Sequence, residues 1–386
     1  MDLSFILNEL GEDRELYFNA IAPPIIQTSN FKFNTVDEMR QRFKDEYGGY
    51  IYSRGLNPTV DILRKKLAAL DGAEDALVFN SGASAIFSSV VPFVSQGDHI
   101  ISVKGPYTWA QKLFDHLLPR FGVQTTYVDG RIVDNISNAI QTNTKIIYLE
   151  SPNSWDFAIQ DLGSISKIAK KKNILTVVDN SYCSPYYQKP IELGIDLVLQ
   201  SATKYIAGHS DTVAGVLTGK KVHLEKIFNL EYLTAGNGIQ PFNAWLLIRG
   251  LRTLPARLDR IAISTLKVLE YLKSHPKIEK IIFPLDSSFP QFELAKKQMK
   301  GACGLFSFVL KTDSPLKIES FCNSLQHVLM AVSWGGHESL IIPRIAGIEN
   351  ESFNASDEMH RLIRMYVGLE DAEYIIEDLK QALTNL

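Results

Sequence analysis

Between about residues 60 and 235 the chain alternates short unbroken apolar runs with longer stretches of helical period. The runs are DALVF (75–79), DHIISV (98–103), VQTTYV (123–128), TKIIYLE (144–150), ILTVVD (174–179), DLVLQ (196–200) and AGVLTG (214–219). Runs of this length, rich in Val, Ile and Leu, predict strands buried on both faces. The intervening SISKIAKKKN and NISNAIQTN read as helices. Strands alternating with helices predict right-handed crossovers and a mostly parallel sheet covered on both sides, an α/β fold.

After GNGIQPFNAWLLIRGLRTL the pattern changes. One long helix is expected over about 241–274, stopped by Pro276. KIIFP, GLFSFVL, a helical LKIESFCNSLQHVLM, LIRMYVGLE and a final helix DAEYIIEDLKQALTNL follow, as in a smaller α+β domain. The first 50 residues are loop-rich and show little sign of a core. The expected division is therefore 1–50 as an N-terminal arm, 51–245 as the large domain and 246–386 as the C-terminal domain.

Composition narrows the function. Forty basic against 43 acidic residues leave a net charge of −3, and no basic stripe suggests nucleic acid. No run approaches about 18 apolar residues, so no membrane partner is expected. The opening MDLSFILNELGEDREL has acids where a signal peptide is basic, which predicts a cytoplasmic protein. Cys183, Cys303 and Cys322 lack C-x-x-C spacing, so neither a disulfide framework nor a cysteine-rich zinc site is expected. His209 and Asp211 are read as shaping a loop, and no metal is expected.

Four features carry possible chemistry, and all four are expected together at the carboxyl ends of the strands, where ligands of open α/β sheets bind. In VFNSGASAIFSS a strand runs through Asn80 to Ser81, Gly82 and Ala83 and into a helix, whose N-terminal N–H groups suit a phosphate. Asp179 ends ILTVVD and can hold a proton on a ring nitrogen. Ser201 and Thr203 flank a third position whose neighbour, Lys204, offers an amine that burial and nearby cations can deprotonate. The fourth, Arg364 in LIRMYVGLED, sits within an apolar strand, where a guanidinium needs an anion and can clamp a carboxylate. A phosphate cradle, an acid, an amine and a carboxylate clamp together describe a site for pyridoxal 5'-phosphate and an amino-acid substrate. A nucleophile-elbow reading of GHSDTVAG fails at Thr212, and a dinucleotide reading of AGNGIQPF fails at Pro241.

The stretch LQSATKYIAGHSDTVAG is similar to the lysine signature of the pyridoxal-phosphate enzymes of cysteine and methionine metabolism, and the similarity runs from APPIIQTSNF to RMYVGLEDAEYIIEDL. The resemblance implies fold type I, with a large mostly parallel-sheet domain and a smaller α+β domain. It implies that Lys204 bonds the cofactor and moves protons, and that Asp179 pairs with the ring nitrogen. Ser81, Gly82, Ala83, Ser201 and Thr203 would bind the phosphate, and Tyr107 would stack on the ring. Tyr52 and Arg54 would reach a neighbouring subunit's phosphate site, and the 1–50 arm would contact that subunit in a homotetramer built from two active dimers. Arg364 would hold the substrate α-carboxylate, with Ser333, Asn153 and Trp334 nearby.

Within the family, ESPNSWDFAIQD and SWGGHESL resemble the cystathionine β-lyase branch, the latter through Trp334. Trp109 stands where methionine γ-lyases carry cysteine, which argues against that activity. Val332, Lys112 and Asn153 depart from the β-lyase pattern and keep γ-synthase, γ-lyase and O-acylhomoserine sulfhydrylase open. A non-catalytic binding protein on the same fold is the alternative outside enzymes, and the intact Lys204, Asp179, Tyr107 and Arg364 argue against it.

Overall fold

A computed structural model describes residues 1–302 and 304–386, so Cys303 lies outside the described residues. The chain forms two compact units. The first comprises Met1–Asn153, Ala158–Ala207 and Asp211–Arg252, and the second comprises Ser154–Phe157, Gly208–Ser210 and Thr253–Leu386. The main division thus follows Arg252, and residues 1–50 belong to the first unit. No helix among the described residues is long and apolar enough to cross a membrane.

The first unit holds a seven-stranded sheet: β1 (Asp75–Phe79), β2 (His99–Val103), β3 (Gln124–Val128), β4 (Thr144–Glu150), β5 (Leu175–Asp179), β6 (Leu197–Gln200) and β7 (Gly215–Gly219). The spatial order is β1-β7-β6-β5-β4-β2-β3. Strands β2 to β6 are parallel, whereas β7 runs antiparallel to both β6 and β1. The reversal follows from the connection: residues 201–214 contain no crossover helix, and without one a strand returns antiparallel. The apolar runs are unbroken because successive residues face opposite sides. Ile146 and Tyr148 enter the core on one face of the sheet, Ile147 and Leu149 the core on the other.

The N-terminal segment adds the helices Leu3–Asn8 and Val36–Lys44. Of residues 1–50, Ile6, Leu7, Pro23 and Tyr47 are buried apolar residues, while Phe18 is 99% exposed. The start of the chain is pinned by the fully buried Lys66. Its ammonium donates to the carbonyls of Ile6 (3.0 Å) and Leu7 (3.2 Å) and pairs with Glu12 at 3.1 Å, and Glu12 also accepts from Arg252.

The second unit holds β8 (Ile278–Ile282), β9 (Leu305–Leu310), β10 (Leu329–Met330), β11 (Leu340–Pro343) and β12 (Leu362–Tyr366), in the order β10-β11-β12-β9-β8. All pairings are antiparallel except β10 with β11. Two sequence expectations change here, and one strand was not expected. The 241–274 stretch is two helices, Pro241–Arg252 and Leu254–Ser274, separated at Thr253, with Pro255 in the first turn of the second. Proline removes a helical donor and disfavours helical backbone before it, so the break falls there. The helix expected over 316–330 ends at Asn323, and Leu329–Met330 is a strand. Its continuation is lost to Asp378, whose carboxylate accepts the N–H groups of Gln326 (2.9 Å), His327 (2.8 Å) and Val328 (2.8 Å). The four-residue β11, ended by Pro343, was too short to stand out from its loop.

Candidate active site

Two buried carboxylates stand side by side where β4 and β5 end. Glu150 and Asp179 are register partners on these parallel strands, so both leave the same face of the sheet. The Glu150 carboxylate accepts the backbone N–H of Tyr107 at 2.5 Å and so fixes the start of the helix Thr108–Lys112. Asp179 accepts the N–H of Ser181 at 2.9 Å. Burial raises the Asp179 pKa above its ordinary value, while the Ser181 hydrogen bonds and the charge of Lys204 pull it back down. A carboxylate buried this way stays ionised when a cation meets it.

Ser181 also joins Asp179 to the lysine loop, because its hydroxyl oxygen accepts the N–H of Ser201 at 2.6 Å. Lys204 follows three residues later and is half-buried. Ser201 in turn closes on the turn after β1: a Cβ added to Gly82 would lie 3.1 Å from Ser201 Cβ and Oγ. A Cβ at Gly215 would collide with the carbonyl of Ser81, so only glycine lets β7 pass beneath this turn. Ser81 caps the helix Gly82–Val90, its hydroxyl accepting from Ser84 N at 3.1 Å. The N–H groups of Gly82 and Ala83, in the first turn, then have no intrahelical acceptor. Thr203 is turned to its own loop, donating to the Ala214 carbonyl (3.1 Å) and accepting from Ala214 N (3.0 Å).

Tyr107 is 42% exposed above this edge. Asn153 is buried, and its amide donates to the Gly105 carbonyl at 3.3 Å and accepts from Gln160 at 3.0 Å, which steadies the loop leading to Tyr107. Trp109 and Lys112 stack, with the ammonium 4.7 Å from the ring centroid. Tyr52 and Arg54 are exposed and form a cation–π pair at 5.3 Å.

The other candidate residues lie in the second unit. Arg364 is the middle residue of β12, its guanidinium 4.5 Å from the Trp155 ring centroid and donating to the Ser154 carbonyl at 2.9 Å. Ser333 has φ 87°, a left-handed conformation uncommon for a non-glycine residue, and Trp334 follows it, half-buried.

The sequence had not marked Glu150, Ser181 or Trp155 as site residues. Glu150 carried the same signal as Asp179, an acid closing an apolar strand. Ser181 and Trp155 carried none, because their roles come from contacts made by folding.

An α/β sheet with an amine, a buried acid and a helix N-terminus at its carboxyl edge defines a site for an anionic ring cofactor. The residues fit pyridoxal phosphate: the Gly82 and Ala83 N–H groups and the Ser81 and Ser201 hydroxyls face one turn, and Asp179 calls for a cationic partner such as a protonated ring nitrogen. Residues 6–384 match the family of Cys/Met metabolism PLP-dependent enzymes, and the chain belongs to that family. It is 41% identical over 378 residues to an L-methionine gamma-lyase of Treponema denticola, spanning 96% of this chain and 94% of the relative. It is 36% identical to a cystathionine beta-lyase of Lactococcus lactis subsp. cremoris, spanning 94% of each. A solved Campylobacter jejuni structure, provisionally named an O-acetylhomoserine (thiol)-lyase, superposes with a TM-score of 0.93 at 28% identity, covers 100% of both chains and carries N'-pyridoxyl-lysine-5'-monophosphate. The fold is type I of the PLP-dependent enzymes, and the cofactor of the family is pyridoxal phosphate.

Proposed function

We propose that the protein is a PLP-dependent carbon–sulfur lyase that converts L-cystathionine and water to homocysteine, pyruvate and ammonia. The observation that carries the reading is Lys204 close to the buried Asp179 at the ends of β5 and β6. When bound, pyridoxal phosphate supplies a carbonyl for the substrate amine and a sink for negative charge at Cα. Asp179 holds the ring-nitrogen proton that keeps this sink effective, and the Ser181 N–H keeps the carboxylate aimed. Ser81, Gly82, Ala83, Ser201 and Thr203 hold the phosphate, the last by exchanging its bond to Ala214. Lys204 takes the Cα proton, and its ammonium form can return a proton to the departing side of the substrate. Tyr107, anchored through Glu150, covers the ring, and Arg364 holds the α-carboxylate, with Asn153, Ser333 and Trp334 beside it. A second copy of the chain supplies Tyr52 and Arg54, whose exposure here supports that role, and two such pairs make a homotetramer.

The β-cleavage reading is supported by Trp334 in SWGG and by Trp109 in place of a cysteine. A second reading, γ-elimination from L-methionine, is favoured by the 41% identity to the Treponema denticola enzyme. Product analysis separates them. Pyruvate with homocysteine from L-cystathionine is expected. 2-Oxobutyrate with cysteine, or 2-oxobutyrate with methanethiol from L-methionine at a higher kcat/KM, would replace the first reading with γ-cleavage.

A further inference from the structure

Arg364 shares its aromatic support with a second arginine. The Arg344 guanidinium carbon lies 4.8 Å from the centroid of the Trp155 ring, against 4.5 Å for Arg364. The strand register explains the convergence. Ile342 of β11 stands opposite Arg364 of β12, so both side chains leave one face of the sheet. Arg344 comes two residues after Ile342, which returns it towards that face on a diagonal to Arg364, where β11 ends and the turn Arg344–Gly347 begins. On the other side of Arg364 stands Ser307 of β9, and its hydroxyl donates to the Trp155 carbonyl at 3.1 Å. The Trp155 backbone is therefore tied to the strand beside Arg364, and two guanidiniums lie against its ring.

The two guanidiniums differ in what else they touch. Arg364 is bonded to the Ser154 carbonyl, whereas Arg344 is exposed and, among the described residues, has no carboxylate within ion-pair distance. Two like charges on one ring repel each other, and a carboxylate brought to each relieves that repulsion. A guanidinium is planar and grips a carboxylate with two parallel hydrogen bonds, so stacking one flat on an indole leaves its donating edge presented for that purpose.

We infer that Arg344 determines specificity by receiving a second substrate carboxylate, so that the preferred substrates are L-amino acids with a further acidic group on the departing side chain. The inference rests on the proposed role of Arg364 as the α-carboxylate clamp. L-cystathionine and O-succinyl-L-homoserine share this chemistry; L-methionine lacks it.

The test compares the holoenzyme with its R344Q variant. Calorimetric titration with adipate and with hexanoate reads the second carboxylate without any turnover. Wild type is expected to bind adipate at least about tenfold more tightly than hexanoate, and R344Q to bind the two about equally. In turnover, R344Q should raise KM for L-cystathionine about tenfold and leave kcat/KM unchanged for S-methyl-L-cysteine, which has a leaving group on Cβ and no second carboxylate. An adipate preference that survives R344Q, or an equal loss with S-methyl-L-cysteine, overturns the inference. R364A keeps the two readings apart. If it weakens both ligands while R344Q changes neither, only the role of Arg344 falls. If it changes neither ligand, the α-carboxylate clamp falls as well.

Discussion

Each unit places a charge within its sheet, and the two do so differently. In the first unit Asp179 closes β5, so the backbone beyond the strand can turn and offer the Ser181 N–H to its carboxylate. Burial still raises its pKa, which leaves it responsive to whatever cation approaches. In the second unit Arg364 sits mid-strand between Ser307 and Ile342, where the backbone is committed to the ladder. It is held by an indole face and a carbonyl, and a guanidinium keeps its proton at any ordinary pH. A strand end suits a group whose charge is adjusted by its partner, and a strand middle suits one whose charge is permanent. Under the proposed function, the first arrangement serves chemistry and the second serves grip.

This contrast predicts graded losses. Lys204→Ala should cut turnover by about a thousandfold or more, because it removes the group proposed to move protons at the strand-end site. Borohydride reduction followed by peptide mapping should place a pyridoxyl group on the peptide containing Lys204 in the wild type and on none in the variant; an adduct elsewhere would undo the assignment of the first unit. Asp179→Asn should lower kcat about a hundredfold or more with folding intact, since an amide cannot hold a ring cation. A near-normal kcat would mean that the buried carboxylate is structural, and the contrast with Arg364 would vanish.

Arg364→Ala should raise KM for amino-acid substrates by about tenfold or more while cofactor content stays the same. Loss of cofactor with KM unchanged would move this arginine from grip to chemistry.

The smallest effect on turnover is expected at Asp71, a third charge, buried at the end of the helix Pro58–Asp71. It accepts from Gln200 Nε2 (2.9 Å) and Thr218 Oγ1 (2.7 Å), and burial pushes its pKa up from 3.8 to about 7. Because the folded form holds the proton more tightly, its contribution to stability is full below about pH 4 and is lost as pH rises through about 7. The loss is at most on the order of 4 kcal/mol. Asp71→Asn should keep turnover within about twofold and flatten the decline in unfolding free energy between pH 5 and 8. Parallel pH profiles for the two proteins would show that Asp71 does not titrate in this range.

Much of this was legible in the order of residues. Short runs of five to seven residues named all seven strands of the first sheet; six are mostly apolar because both their faces are covered, whereas in the edge strand β3 only Val128 is buried. Lys204, Asp179 and Ser81 stood out by lying just past such strands. Neither the reversal of β7 nor the end of the helix at Asn323 was visible: the first depends on a loop without a crossover helix, the second on Asp378, some 50 positions away, capturing three N–H groups.

The local pattern of apolar and polar residues thus settles which segments are strands and which charged residues stand at their ends, since both depend only on neighbours along the chain. Folding alone decides that Glu150 secures Tyr107, that Ser181 ties Asp179 to Ser201, and that two arginines share Trp155. Apart from the local Asp179–Ser181 bond, those contacts join residues 20 to more than 200 positions apart, and no local pattern records which distant partner a side chain will meet.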